Sequence, residues 1–217
     1  MDFLPVYIYF IALSFLVSIY KLKKNSQFYL KIFSPFLFLT LCVEAYANYL
    51  SSINKSNIVI YNFFSAFEFC FYLFLISFII QVRKIKNLAR YAAGIYGLLA
   101  VLNILFVQGV NTFHTTTYAA GCLIIASFCV RYFYEIFRIP GAGKLENNPA
   151  FWICAGLLFF YCCGFPLWGL MNIWSKWIVI ELETFSGINY LLNSFLYLLF
   201  TIAYLCSRTR NSISLSS

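Results

Sequence analysis

Apolar residues gather along this chain in seven runs, and the polar residues fall mostly between them. The runs lie at 4–20, 28–50, 58–80, 90–108, 112–138, 150–171 and 184–206. Their lengths, about 17–27 residues, match the α-helix needed to cross a ~30 Å hydrocarbon core. The third holds a single charge, Glu68, and the seventh holds none. The joints between runs carry turn residues, as in Ser51-Ser52-Ile53-Asn54-Lys55-Ser56-Asn57 and in Pro140-Gly141-Ala142-Gly143 followed by Asn147-Asn148-Pro149. None is long enough for a soluble domain. The pattern predicts an all-α, polytopic membrane protein: one seven-transmembrane-helix bundle over residues 1–217, with a short cytoplasmic tail at 207–217. Pro35 and Pro166 fall inside the second and sixth runs and predict kinks there.

Composition agrees with the pattern. Hydrophobic residues make up 63% of the chain and charged residues 10%, against about half and a quarter in soluble domains. A water-soluble core of this size could not hide so much Phe, Leu, Ile and Tyr, so the lipid bilayer is the expected surround. The net charge of +8 does not point to nucleic acid, because the basic residues sit in short clusters between apolar runs, where lipid head groups lie.

Those clusters predict a direction. Lys21, Lys23, Lys24 and Lys31, then Arg83, Lys84, Lys86 and Arg90, then Arg131, Arg138 and Lys144, then Arg208 and Arg210 mark alternate ends of the runs. These thirteen fall on one side and only Lys55 and Lys176 on the other. Basic residues favour the cytoplasm, which places the N-terminus outside and the C-terminus inside a cell membrane, expected to be a bacterial cytoplasmic membrane. The first run has no basic stretch before it and reads as a transmembrane helix rather than a cleaved signal peptide.

Candidate chemistry is sparse. The eight cysteines lie in or beside apolar runs and read as small buried hydrophobes, not a disulfide framework. A single histidine and no CxxC pair argue against a metal site. The seventh run has no lysine for a retinal Schiff base, and no P-loop or GxSxG motif is present. No cofactor is therefore expected. Ser65, Ser77 and Ser127 have no histidine or lysine base near them in sequence and read as packing residues.

Polar groups inside a membrane are costly, and their positions carry the most information. Glu44 and Asn48 lie one turn apart near the outer end of the second run. Asn62 and Glu68 lie on the third, Asn103 on the fourth, His114 at the mouth of the fifth, and Asn189 and Asn193 on one face of the seventh. All favour the outer half, as a ligand pocket open to the outside would require. Interhelical hydrogen bonds are the plainer explanation of the asparagines. At the inner end of the fifth run, Arg131, Glu135 and Arg138 stand at spacings that allow both arginines to pair with the acid, either as a balanced helix end or as a docking patch for a partner. Trp174, Trp177, Ile178, Val179 and Ile180 predict a short interfacial helix in the outer connection between the sixth and seventh runs.

Three stretches carry a resemblance: Ile60-Tyr61-Asn62-Phe63-Phe64-Ser65-Ala66-Phe67-Glu68, Asn148-Pro149-Ala150-Phe151-Trp152-Ile153 with Gly156-Leu157-Leu158, and Ile188-Asn189-Tyr190-Leu191-Leu192-Asn193-Ser194-Phe195-Leu196-Tyr197. Together they resemble small uncharacterised bacterial seven-helix membrane proteins, similar in plan to the seven-helix sensory modules of membrane histidine kinases. The resemblance implies sensing of a small ligand and, with no output domain after the seventh run, signalling to a separate cytoplasmic or membrane partner. The alternative is a small-solute transporter with a central site near Glu68, for which helices 3 and 7 offer a faint repeat: Phe71-Tyr72-Leu73-Phe74 laid on Leu196-Tyr197-Leu198-Leu199. An intramembrane lipid hydrolase fits least, since no acid, base and nucleophile cluster is visible.

Overall fold

The computed structural model describes residues 5–22, 26–138, 145–169 and 182–206. Among these residues the chain is predominantly helical and has no strand. The helices are α1 (Val6–Lys21), α2 (Phe28–Ser52), α3 (Ile58–Ile79), α4 (Arg83–Leu102), α5 (Thr115–Phe137), α6 (Pro149–Gly164) and α7 (Leu182–Leu205). Six helical segments are long and apolar enough to cross a membrane: Phe28–Ser52, Ile58–Ile79, Arg83–Val107, Thr115–Phe137, Pro149–Trp168 and Ser186–Leu205. The chain is thus a multi-pass membrane protein. The described part of α1 is equally apolar but has 16 residues, about 24 Å at 1.5 Å per residue.

The bundle is a ring with one outlier. α1 packs on α2, α2 on α3, α3 on α5, α5 on α6, α6 on α7, and α7 closes back onto α1. α4 lies outside, against α3 and more lightly against α5. Its sequence explains the position. Only Ala89, Ala93, Tyr96 and Ala100 are buried, one narrow stripe at helical spacing. Leu88, Tyr91, Ile95, Leu98, Leu99 and Leu102 point away from the protein. Exposing each such side chain to water would cost about 1.5–3 kcal/mol; against acyl chains that cost vanishes.

α4 begins at Arg83 rather than near residue 90. Arg83, Lys84, Lys86 and Arg90 are therefore helical, with long stems that can lift their charges toward the interface. Pro35 leaves α2 continuous. Its missing N–H frees the Lys31 carbonyl, and one residue earlier the Leu30 carbonyl accepts a hydrogen bond from the Tyr204 hydroxyl at 3.0 Å. Around Pro166, α6 widens into a π-helical turn, Phe165–Gly169, which accommodates a proline without breaking the helix. A second π turn, Asn103–Val107, ends α4. The chain then reverses through Gly109, whose φ of 81° falls where glycine is favoured.

Close packing relies on small residues. A Cβ on Gly121 would lie 2.7 Å from the Phe69 ring and 2.9 Å from the Tyr96 oxygen, so α5 and α3 approach through that glycine. The eight cysteines are all free thiols. The expected interfacial stretch at Trp174–Ile180, the turn at 140–143 and the tail at 207–217 lie outside the described residues.

Candidate functional site

Alternating helix directions bring the ends of α2, α4 and α6 and the starts of α1, α3, α5 and α7 to one end of the bundle. A cavity of about 450 Å³ opens there. α2 contributes Glu44, Asn48 and Ser51; α3 contributes Tyr61, Phe64, Ser65 and Glu68; α7 contributes Ser186, Asn189, Tyr190, Asn193 and Tyr197. Tyr7, Phe113, Tyr118, Phe160 and Trp168 complete most of the wall. Glu68 is ten residues into α3, about 15 Å along its axis, so the cavity reaches mid-helix.

Below it the bundle is solid. Phe33, Phe69, Tyr72, Tyr161 and Phe200 are each less than 2% exposed. Their rings interlock, with Phe33 edge-on to Phe200 at 4.8 Å and Phe69 against Tyr161 at 4.9 Å.

The two carboxyls are held differently. Glu44 Oε2 accepts hydrogen bonds from the Tyr7 hydroxyl at 2.8 Å and the Tyr61 hydroxyl at 3.0 Å. Helices α1, α2 and α3 are thereby tied through one oxygen. Glu68 lies against the base, where it interacts electrostatically with the Tyr72, Tyr161 and Tyr197 hydroxyls. The Tyr72 and Tyr161 hydroxyls are buried with no hydrogen-bond partner of acceptable geometry. On α7, Asn193 Nδ2 donates to the Asn189 carbonyl at 2.9 Å and to Asn189 Oδ1 at 3.1 Å. The Trp168 indole N–H also reaches Asn189 Oδ1, at 3.4 Å.

Five of the sequence candidates therefore meet in the cavity: Glu44, Asn48, Glu68, Asn189 and Asn193. Asn62, Asn103 and His114 do not line it. They build the connection between α4 and α5. Asn62 Nδ2 donates to the Val110 and Thr112 carbonyls at 3.0 and 2.8 Å, and its Oδ1 accepts the His114 backbone N–H at 3.1 Å. Asn103 Nδ2 donates to Gln108 Oε1 at 2.6 Å and Thr117 Oγ1 at 3.1 Å.

His114, just before the α5 span, is fully buried. Its Nε2 lies 2.6 Å from Ser65 Oγ and its Nδ1 lies 2.7 Å from Thr117 Oγ1. Ser65 has no base near it in sequence, yet the fold brings His114 beside it from 49 positions away, which spacing could not reveal. The pair is poorly built for nucleophilic catalysis. The Ser65 hydroxyl donates back to the Tyr61 carbonyl at 2.5 Å, a threonine stands where a triad has a carboxylate, and burial pushes the His114 imidazole down to about 4. It serves as a neutral latch between α3 and α5.

At the opposite end of α5, Glu135 turns to α4 rather than to its neighbouring arginines. Its Oε1 accepts the backbone N–H groups of Gln81 and Val82 at 3.1 and 2.9 Å. Arg131 and Arg138 both lie over the Tyr134 ring, 5.2 and 4.3 Å from its centre.

Sequence reasoning missed the aromatic share of the site: Tyr7, Tyr61, Trp168, Tyr190 and Tyr197. A signal for part of it existed. Tyr61, Ser65 and Glu68 share a helical face, as do Ser186, Asn189, Asn193 and Tyr197. Among the described residues no group of three or more His, Cys, Asp or Glu is placed to hold a metal ion. No protein-family model, curated protein or solved structure matches the chain.

Proposed function

We propose that this chain crosses the membrane seven times, N-terminus outside and C-terminus in the cytoplasm, as a receptor-like sensor of a small ligand. α1 is the seventh crossing, and the cavity faces outward. The observation that carries this reading is a cavity open at one end that stops at mid-depth on interlocked aromatic rings. A dead-end site suits ligand detection. A transporter needs a path that opens alternately to both sides, which favours the sensor over the small-solute transporter.

α5 offers the route for the signal. Its first turns meet the cavity through Tyr118, and its last turn holds the start of α4 through Glu135. A ligand that favours one of two α5 positions would shift that contact. Arg83, Lys84, Lys86, Arg131 and Arg138 would then present the change to a separate cytoplasmic or membrane partner.

Reporter fusions test the direction: a fluorescent protein after Cys206 should glow, and alkaline phosphatase inserted at Asn54 should be active. The reverse pattern overturns the orientation. The sensor reading is tested by comparing a deletion strain with one carrying Glu68→Gln. Matching transcript changes with unaltered solute accumulation support it, and altered accumulation without transcript changes refutes it.

A further inference from the structure

We infer that the cavity binds a small organic cation, an amine or quaternary ammonium group on an apolar body, with its charge seated between Glu44 and Glu68. The inference deepens the sensor reading and rests on its claim that the cavity is the ligand site.

Charge balance comes first. Glu44 and Glu68 both line the cavity, and no lysine, arginine or histidine does so among the described residues. Each carboxyl lies in the field of the other. The donors that reach Glu44 are neutral phenols, both on Oε2, and Oε1 has no described partner. Two acids that share an enclosure without a counter-charge favour a cation between them.

The walls select the kind of cation. A bare metal ion needs several converging oxygen or nitrogen ligands, and the cavity is too wide and too aromatic for that. Rings of Tyr61, Phe64, Tyr118, Trp168, Tyr190 and Tyr197 face a space of about 450 Å³, in the range of drug-sized ligands. Aromatic faces attract organic ammonium groups through their negative quadrupole and pack against the apolar body. Asn189 and Asn193 supply an amide edge for one polar substituent.

The base of the cavity holds Glu68 in place. The Tyr72 hydroxyl is buried and has the Glu68 carboxyl as its side-chain partner. A buried donor is seldom left without an acceptor. Tyr72 can donate to Glu68 from below, which leaves the cavity side of that carboxyl to face a cation.

The test uses the full chain in detergent or nanodiscs and three probes of one shape. Benzyltrimethylammonium carries the charge, neopentylbenzene replaces its nitrogen by carbon, and phenylacetate carries the opposite charge. Calorimetry should show the ammonium probe binding at least roughly tenfold more tightly than its carbon analogue, with no binding of the anion. Glu68→Gln should remove that preference yet still bind the carbon analogue, which also shows that the variant is folded. Phe64→Ala should weaken both probes together.

Equal binding of ammonium and carbon probes overturns the cation preference but keeps the cavity as a binding site. Binding of the anion alone, or of no probe, overturns the proposal. Tight ammonium binding accompanied by its uptake into proteoliposomes supports the cation site and refutes the sensor reading instead.

Discussion

Replacing Asn62 with alanine separates a structural asparagine from a ligand-binding one. The Asn62 side chain is wholly buried and makes three hydrogen bonds to backbone, at 3.0, 2.8 and 3.1 Å. Two go to the Val110 and Thr112 carbonyls, which are half-buried and exposed, so water can replace Asn62 there at a net cost of about 0.5–1.5 kcal/mol each. The third satisfies the N–H of His114, which is 0% exposed. Left unpaired, that group costs about 1–3 kcal/mol. The sum is about 2–6 kcal/mol, centred near 4. For a chain of this size each kcal/mol moves the melting midpoint by about 2–4 °C, so Asn62→Ala should melt roughly 10 °C lower.

The assay is thermal melting of the full chain in detergent, followed with a thiol-reactive dye that reports exposure of the buried Cys122, Cys129 and Cys154. Asn48→Ala is the control. Asn48 lines the cavity with no described hydrogen bond, and its loss should change stability by less than about 0.5 kcal/mol. If Asn62→Ala melts with the wild type while ligand response changes, the assignment of Asn62 to the α4–α5 connection is wrong.

The His114 latch makes stability depend on pH. Its imidazole titrates near 4 when folded and near 6.5 when unfolded, so between those values the unfolded chain binds more protons. Stability should therefore fall as pH drops from 6.5 to 4, by up to about 3 kcal/mol; His114→Gln should flatten that part of a melting-against-pH curve, and an unchanged slope would count against the latch. Glu135→Ala should lower stability by about 1–2 kcal/mol, because the start of α4 loses two backbone partners and a favourable charge; Glu135→Gln, which keeps an acceptor, should recover much of it in the same melts. Gly121→Ala should cost about 1–3 kcal/mol by forcing the buried Phe69 ring aside. Gly94→Ala, where an added Cβ meets nothing within 4 Å, should be neutral or slightly stabilising.

Much of the bundle was legible in the sequence because a bilayer imposes its own length and polarity on each segment. The start of α4 was not, since a charged helical turn and a charged loop look alike until the helix is seen to continue. Of the polar candidates, Glu44, Asn48, Glu68, Asn189 and Asn193 line one cavity, and depth brought them toward the same end without singling them out. Asn62, Asn103 and His114 lie at similar depth, but their role depends on where the carbonyls of residues 108–114 come to rest, and that is set by the reversal at Gly109. Tyr7 and Tyr61 were hidden for another reason. In a chain with 17 tyrosines and 26 phenylalanines, aromatic residues are background, and only the adjacency of α1, α2 and α3 singles out the pair that reaches Glu44.

The closure of the ring by α1 and α7 bears on how the protein is made. Tyr7 binds Glu44 on α2 but also packs at a tilt against Tyr190 on α7, with ring centres 5.3 Å apart. During synthesis the first three helices can meet early, whereas Asn189, Asn193, Tyr197 and Phe200 arrive only with α7. Until then Phe33 lacks its edge-on partner, and the seam between α1 and α6 stands open to lipid. A nascent chain stalled before α7 would leave that seam unfilled, and the cavity of Glu44 and Glu68 would lack the wall that Asn189, Asn193 and Tyr197 supply. In this protein, closing the ring of helices and completing the cavity wall are one event.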